Sequence, residues 1–334
     1  MRIALDAMGS DTFPVPDVAG AILAAQEWKE DTIYLVGDEK IIKQELAKYD
    51  SSGLKIEVVH AGDVITMQDK PTQVGKSKPN SSMHVGMNLV KDGKADAFVT
   101  AGNTGAALSI ATLFTLKRIH GVKRPALTAI VPLGNVSPIL LDVGANADSK
   151  PEWLVQFALM GKLYAQHSVK ISDPRVGLLS NGEEEGKGTI CINEASAILR
   201  DMPIRFIGNI EPKDILKGEA DVVVMDGFVG NIFIKSMEAA TRMMAASLRE
   251  EIMRTTITKI GGALARPAFR RVQKMIDPFE IGGAPLLGVN GVVIIGHGRS
   301  NDRAIKNAIG QARKAVAGKV IESIEAGLKT FSLA

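Results

Sequence analysis

One arrangement recurs along the chain and limits what it can fold into. A short run rich in Val, Ile and Leu ends in a glycine-containing polar loop, and a segment of helical periodicity follows. It appears at 3–11, 95–114, 138–159, 175–199, 220–240 and 291–309. Continuous apolar strands alternating with helices specify a mostly parallel sheet with helices on both faces. The stretches 32–38 (TIYLVGD) and 54–63 (LKIEVVHAGD) add two strands, and 125–144 reads as two strands joined from Pro132 to Pro138 as a hairpin. No long linker or low-complexity stretch intervenes, so a single interwoven domain over 1–334 is expected. In a parallel sheet the strand-to-helix loops share one edge, where ligands bind.

Those loops combine Gly with Asn, Ser, Thr and Asp. Glycine is also the unusual count, 33 residues of 334, about 10% where ~7% is typical. Glycine lets backbone approach a ligand closely, and the free N–H groups at helix starts favour anions. The loops together predict a site for phosphate or a similar anion.

Several other chemistries lack their motifs. Gly296-His297-Gly298 begins like a dinucleotide fingerprint but continues Arg-Ser-Asn. The stretch from Gly182 to Lys187 is one residue short of a phosphate-binding P-loop, and Gly188 stands where magnesium needs Ser or Thr. The five histidines show no metal-ligand spacing, and no Gly-x-Ser-x-Gly elbow occurs. The lone cysteine, Cys191, sits at an apparent helix start, and a small buried residue is its simplest reading. Asp6 and Asp11 interrupt the place where a secretory leader would be apolar. The longest uncharged run, Ala97 to Leu116, is divided by Gly102-Asn103-Thr104-Gly105 into a strand and a helix, which argues against a membrane span.

The net charge of +3 hides one concentrated patch. Between Ile252 and Ile276 lie Arg254, Lys259, Arg266, Arg270, Arg271 and Lys274, with no acidic residue. Apolar residues recur there at helical spacing: Met253, Ile257, Ile260 and Leu264, then Phe269, Val272 and Ile276. Gly261-Gly262 and Pro267 are expected to break the run into two short helices. Such basic amphipathic helices suit an anionic membrane surface or an acidic partner, or else pack on a core or dimer interface. With one aromatic and no recognised binding motif, the segment offers nucleic acid little.

Taken together, DAMGSD (6–11), NSSM (80–83), TAGNTGA (100–106), LDVGANADSKPEWL (141–154), NGEEEGKG (181–188), DGFVGN (226–231), GGAPLLGVNG (282–291) and HGRSN (297–301) resemble one family. It is the phosphate:acyl-ACP acyltransferases of bacterial phospholipid synthesis. The matches are collinear and span nearly the whole chain. The resemblance implies a three-layer α/β/α fold with a mostly parallel sheet, like the isocitrate/isopropylmalate dehydrogenases, plus a protruding basic amphipathic helical hairpin over 250–277. It also implies acyl transfer from acyl carrier protein to inorganic phosphate, a homodimer, no cofactor, and a cytoplasmic enzyme attached peripherally to the inner face of the membrane.

Phosphate attacking a thioester needs an anion cradle, stabilisation of the tetrahedral oxyanion and an exit for the thiol. Lys187, on its glycine-flanked loop, is the expected cation for phosphate and oxyanion. Asn231 is the expected donor to phosphate or the thioester carbonyl, with an ordinary helix N-cap as its alternative. The resemblance points to these same two positions. Gly9, Ser10, Asp11, Gly102, Asn103, Thr104 and Gly105 are expected to hold phosphate or acyl phosphate, with Asn146, Gly230, His297 and Ser300 as further lining. Asp6 and Asp226 are plausible wall residues. Ile257, Ile260, Leu264, Arg266, Phe269, Arg270 and Arg271 are expected to touch membrane or carrier. A short-chain phosphate acyltransferase using coenzyme A, and a non-catalytic membrane-associated phosphate-binding scaffold, are the alternatives.

Overall fold

Strand period and helix caps account for most element boundaries. The computed structural model describes residues 1–134 and 136–331. The first half begins with β1 (Arg2–Asp6), α1 (Val15–Glu27), β2 (Thr32–Gly37), α2 (Glu39–Leu46) and β3 (Ile56–His60). It continues through α3 (Pro71–Ser77), α4 (Ser82–Lys91), β4 (Ala97–Thr100), α5 (Thr104–Ser109) and a π-helical turn to Phe114. A hairpin of β5 (Ala126–Ile130) and β6 (Ile139–Leu141) follows, as the turn residues predict. The second half comprises α6 (Pro151–Tyr164), β7 (Val176–Leu179), α7 (Ile190–Arg200), β8 (Phe206–Ile210), α8 (Pro212–Lys217) and β9 (Val222–Val224). The long helices α9 (Gly227–Ile252) and α10 (Thr256–Met275) then precede β10 (Gly283–Leu287), β11 (Val292–Gly296), α11 (Asp302–Ala317) and α12 (Val320–Thr330).

Among the described residues these strands form one sheet in the order β3-β2-β1-β4-β11-β10-β5-β6-β9-β7-β8. Alternate side chains point to opposite faces. On one face Ile3, Leu5, Val99, Ile294, Leu141 and Val224 share a single continuous core with α1, α6, α11 and α12. On the other face the core is split. Ala4, Phe98 and Val293 pack with α4 and α5, whereas Leu140 and Val223 pack with α8 and with Phe233, Ile234 and Met237 of α9. The three-layer, mostly parallel α/β/α architecture is as expected.

The sense of the strands is not. β10 is antiparallel to β11, β5 to β10, and β6 to β5. Three reversals leave the parallel block β6-β9-β7-β8 running opposite to the block β3-β2-β1-β4-β11. The expectation of one common edge for all strand-to-helix loops is therefore corrected: along the ladder, the two blocks end at opposite edges. Right-handed twist of roughly 20–25° per pair turns them by about 100° or more over the five pairings from β4 to β9. The two edges are thus not back to back.

The basic segment also differs from expectation. α10 runs unbroken through Gly261, Gly262 and Pro267, so the excursion is a hairpin of two long helices. Gly262 serves packing: a Cβ there would stand 2.3 Å from Ile252 Cγ2 at the end of α9. A reciprocal cap between Thr255 and Thr258 starts the helix. None of the residues of α10 is buried.

At its other end α9 is seated tightly. Asp226 caps it, its side chain accepting from Val229 N–H at 2.8 Å, and Gly227 N–H donates to the Asn146 carbonyl at 2.7 Å. A Cβ on Gly230 would lie 2.0 Å from the Asp142 carbonyl oxygen. That neighbour is backbone and cannot turn aside. Gly230→Ala should therefore cost about 2–3 kcal/mol or more, seen as a lower urea midpoint, whereas the exposed helical change Gly261→Ala should leave the midpoint level or raise it.

Candidate active site

The carboxyl-end loops of β1, β4 and β11 are knotted together by hydrogen bonds. Asp6, buried at the end of β1, accepts from Thr100 Oγ1 at 2.7 Å, and that same oxygen accepts from Gly102 N–H at 2.9 Å. Gly9 fits beneath this pair, since a Cβ would stand 2.9 Å from the Gly102 nitrogen. Asp11 N–H donates to the Gly298 carbonyl at 2.7 Å, and Ser300 N–H to the His297 carbonyl at 2.8 Å. Gly9, Ser10, Asp11, Gly102, Asn103, Thr104, Gly105, His297 and Ser300 thus belong to one cluster.

Within it, two expected ligand side chains hold the loops instead. Ser10 Oγ donates to Asp17 Oδ2 at 2.6 Å. Asn103 Oδ1 caps α5 through Ala106 N–H, while its Nδ2 donates to the carbonyls of Thr66, Met67 and Asp69. What the cluster offers an anion is main chain. The N–H groups of Gly9, Ser10 and Asn103 meet no acceptor among the described residues, and those of Thr104 and Gly105 are first-turn donors that helix geometry leaves unpaired. Ser300 Oγ is buried and unpartnered.

A second cluster surrounds the start of α9. Asp142, directly after β6, is buried and accepts from the N–H groups of Leu127, Gly144, Ala145 and Asn146 and from Asn146 Nδ2. Asn146 also donates to the Pro125 carbonyl, so its amide fixes this loop. Asn231 is the fifth residue of α9, and Asp226 rather than Asn231 is the N-cap. The Asn231 side chain is half-buried beside Gly144 and hydrogen-bonds to no described residue.

Lys187 is exposed on the loop after β7. Asn209 Nδ2 donates to its carbonyl, and Gly188 N–H donates to Asn181 Oδ1. Two of its three acidic neighbours have other partners, Glu183 with Lys213 at 2.9 Å and Glu185 with Arg200. Among the described residues the Lys187 ammonium forms no ion pair.

Lys187 and Asn231 flank the start of α9 from different sides. Spacings of four, three and four put Asn231, Lys235, Glu238 and Arg242 on one helical face. Glu238 and Arg242 act electrostatically on His297, so this face looks toward the first cluster. The His297 imidazole is held below its usual range, first by burial and then by Arg299. Lys187 belongs to the loop against the opposite face. Helical spacing displays the stripe from Asn231 to Arg242, which the motif loops do not include, and Asp142 follows β6 directly much as Asp6 closes β1.

On α10, Ile257, Ile260 and Leu264 are 84%, 59% and 78% exposed, so these three side chains stand largely clear of the other described residues. Arg266 and Arg270 lie on the opposite side, while Arg271 borders the apolar one, and Phe269 is partly exposed. No helix among the described residues is long and apolar enough to cross a membrane.

Solved structures define the fold class. A phosphotransacetylase from Streptococcus pyogenes superposes with a TM-score of 0.60, at 16% identity, over 96% of this chain and 94% of its own. A branched-chain phosphotransacylase from Enterococcus faecalis gives 0.59, at 14% identity, over 95% and 99%. The fold is that of the phosphotransacylases. A family model described as "Fatty acid synthesis protein" matches residues 1–323. Phosphate acyltransferases from Geobacter sulfurreducens (45% identical over 329 residues, 97% of this chain and 94% of that one) and Dictyoglomus turgidum (46% over 334 residues, 99% of both) are similar along nearly their full length. The chain belongs to the phosphate acyltransferase family and is an acyltransferase.

Beneath the first cluster lies a buried carboxylate with a defined pH signature. Burial pushes Asp17 up to about 7 despite the Ser10 hydrogen bond, with the nearby Asp6 carboxylate adding to the rise, and its Oδ1 has no partner. The unfolded value is 3.8, so the folded state holds this proton over a range where the unfolded state releases it. Its contribution is full below about pH 4 and is lost as pH rises through about 7, roughly 4 kcal/mol in all. Asp17→Asn should flatten that slope in urea melts between pH 5 and 8; an unchanged slope would remove Asp17 as its source.

Proposed function

We propose that the protein moves a fatty acyl group from acyl carrier protein to inorganic phosphate, giving acyl phosphate for phospholipid synthesis. The observation that carries this reading is the contrast within the loops. Ser10, Asn103 and Asn146 are bound to the fold through their side chains, whereas Lys187 and Asn231 are not. A phosphate oxygen attacks the thioester carbonyl carbon, the tetrahedral oxyanion collapses, the C–S bond breaks and the thiolate leaves with the proton phosphate gives up. Phosphate is itself the nucleophile, so the chain needs no covalent intermediate.

In this mechanism the main-chain donors of Gly9, Ser10 and Asn103 to Gly105 hold the phosphate dianion, with Asp11, Gly102, His297 and Ser300 completing the wall. Asn231 donates from α9 across the cleft, and Lys187 reaches over the helix start to meet the developing oxyanion. Asn146 and Gly230 position Asn231 by fixing the seat of α9. The α9–α10 hairpin is the contact for an anionic membrane or the acidic carrier, through Ile257, Ile260, Leu264 and Phe269 with Arg266, Arg270 and Arg271. The chain works as a homodimer of single-domain subunits, each carrying this excursion. A short-chain enzyme using coenzyme A is the nearest competing reading, and long-chain acyl-ACP against acetyl-CoA in one assay separates the two.

Lys187→Ala should lower phosphate-dependent release of free carrier by about 10²–10³-fold while the melting temperature stays put. Wild-type turnover in that variant would end the assignment. For the hairpin, reversing Lys259, Arg266, Arg270 and Arg271 to Glu should abolish flotation with anionic vesicles, and unaltered flotation would assign these residues to packing or subunit contact.

A further inference from the structure

A groove of about 670 Å³ runs along the face of α9 opposite Asn231. Its walls are mainly Leu179, Ile192, Met225, Val229, Ile232 and Phe233. Polar residues gather where the loop after β7 meets the starts of α7 and α9, and each has a task there. Asn181 Oδ1 accepts from Gly188 N–H at 2.9 Å, Thr189 Oγ1 from Ile192 N–H at 3.3 Å, and Asp226 Oδ1 from Val229 N–H at 2.8 Å. The groove therefore has a polar mouth on the loop that carries Lys187 and an apolar floor leading away from it. From Val229 to Ser236 it follows about 10 Å of helix.

We infer that this groove is the acyl-chain subsite, holding the linear hydrocarbon of the acyl donor with its carbonyl end at the Lys187 loop. The inference rests on the acyl-transfer reading above and adds where the chain lies and what limits its length. Three observations favour a hydrocarbon over another protein segment. Apart from the Ser236 hydroxyl at the far end, the floor is apolar and offers a peptide backbone little to pair with. The groove follows about two turns of α9, with Leu179, Ile192 and Met225 as its other wall. It also opens at the loop whose uncommitted cation suits the charge that develops at the carbonyl. Ile232, 50% exposed, and Val229, 40% exposed, are apolar surface that an acyl chain would cover.

The test uses the whole protein and a butyl-to-dodecyl series of alkylphosphonates, with affinity read by calorimetry so that turnover is not required. In the wild type, affinity should rise about fourfold per added methylene, the equivalent of ~0.8 kcal/mol each, until the groove is full. Ser236→Trp, filling the far end from an exposed position, should leave the shortest probes unchanged and level the rise for longer ones. Val229→Trp, near the mouth, should weaken every probe. A flat wild-type series, or a Ser236→Trp series that follows the wild type, overturns the subsite even if the protein turns over acyl-ACP. The full pattern without phosphate-dependent turnover of any thioester would keep the subsite and overturn the acyl-transfer reading. If the Trp variants instead dissociate an oligomer by light scattering and leave the affinity series intact, the groove belongs to a second copy of the chain and the inference fails.

Discussion

β10 changes partners half-way along its length, and the placement of every loop depends on it. Gly283, Ala284 and Pro285 pair with β11, whereas Leu286 and Leu287 pair with β5. Pro285 stands at the change. It has no N–H for a ladder, and its carbonyl accepts from Thr128 Oγ1 at 2.6 Å instead. The strand thereby joins two parallel blocks of opposite sense without exposing an unsatisfied donor. One face keeps a continuous core across the junction, while the other divides between two helical groups. The division on that face is where a cleft between the blocks can exist at all.

The elements themselves were largely legible because local rules set them. Apolar runs of four to six residues that end at Asp or Gly, or reach Gly within three residues, form β1, β2, β4 and β7, and the turn residues between Pro132 and Pro138 announce a hairpin. Strand sense was not legible. It follows from which strand lies beside which, and β10 and β11 are separated from β4 and β5 by more than 150 residues of chain. The length of α10 was misjudged for a different reason. Gly262 and Pro267 look like breakers by propensity, yet Gly262 answers to the close approach of Ile252, a contact that local sequence does not contain.

The site was legible as a set of loops and less so as a set of side chains. The loop pattern assigns Gly9 and Gly230 to making room for an anion. In the structure their neighbours are the Gly102 nitrogen and the Asp142 carbonyl oxygen, at distances no Cβ could share. Their first function is loop-on-loop packing, and a ligand benefits afterwards, because neighbouring N–H groups are left facing outward in a rigid frame. Ser10 and Asn103 illustrate the same order of causes, since their polar atoms are taken by Asp17, Ala106 and three carbonyls before a substrate arrives.

This ordering gives α9 its particular importance. Its first turn must contain Gly227 and Gly230 because it rests on backbone. That contact fixes the helix rotation, and rotation decides what each remaining face meets. With Gly230 against Asp142, the 100° step per residue puts Asn231 beside Gly144, sets Glu238 and Arg242 on the same face toward His297, and leaves Val229, Ile232, Phe233 and Ser236 along the groove beside the Lys187 loop. A polar face and an apolar one therefore emerge from a single packing constraint. An acyl phosphate has the same two-sided character, an anion joined to a hydrocarbon, and one helix held at one rotation can serve both ends of it.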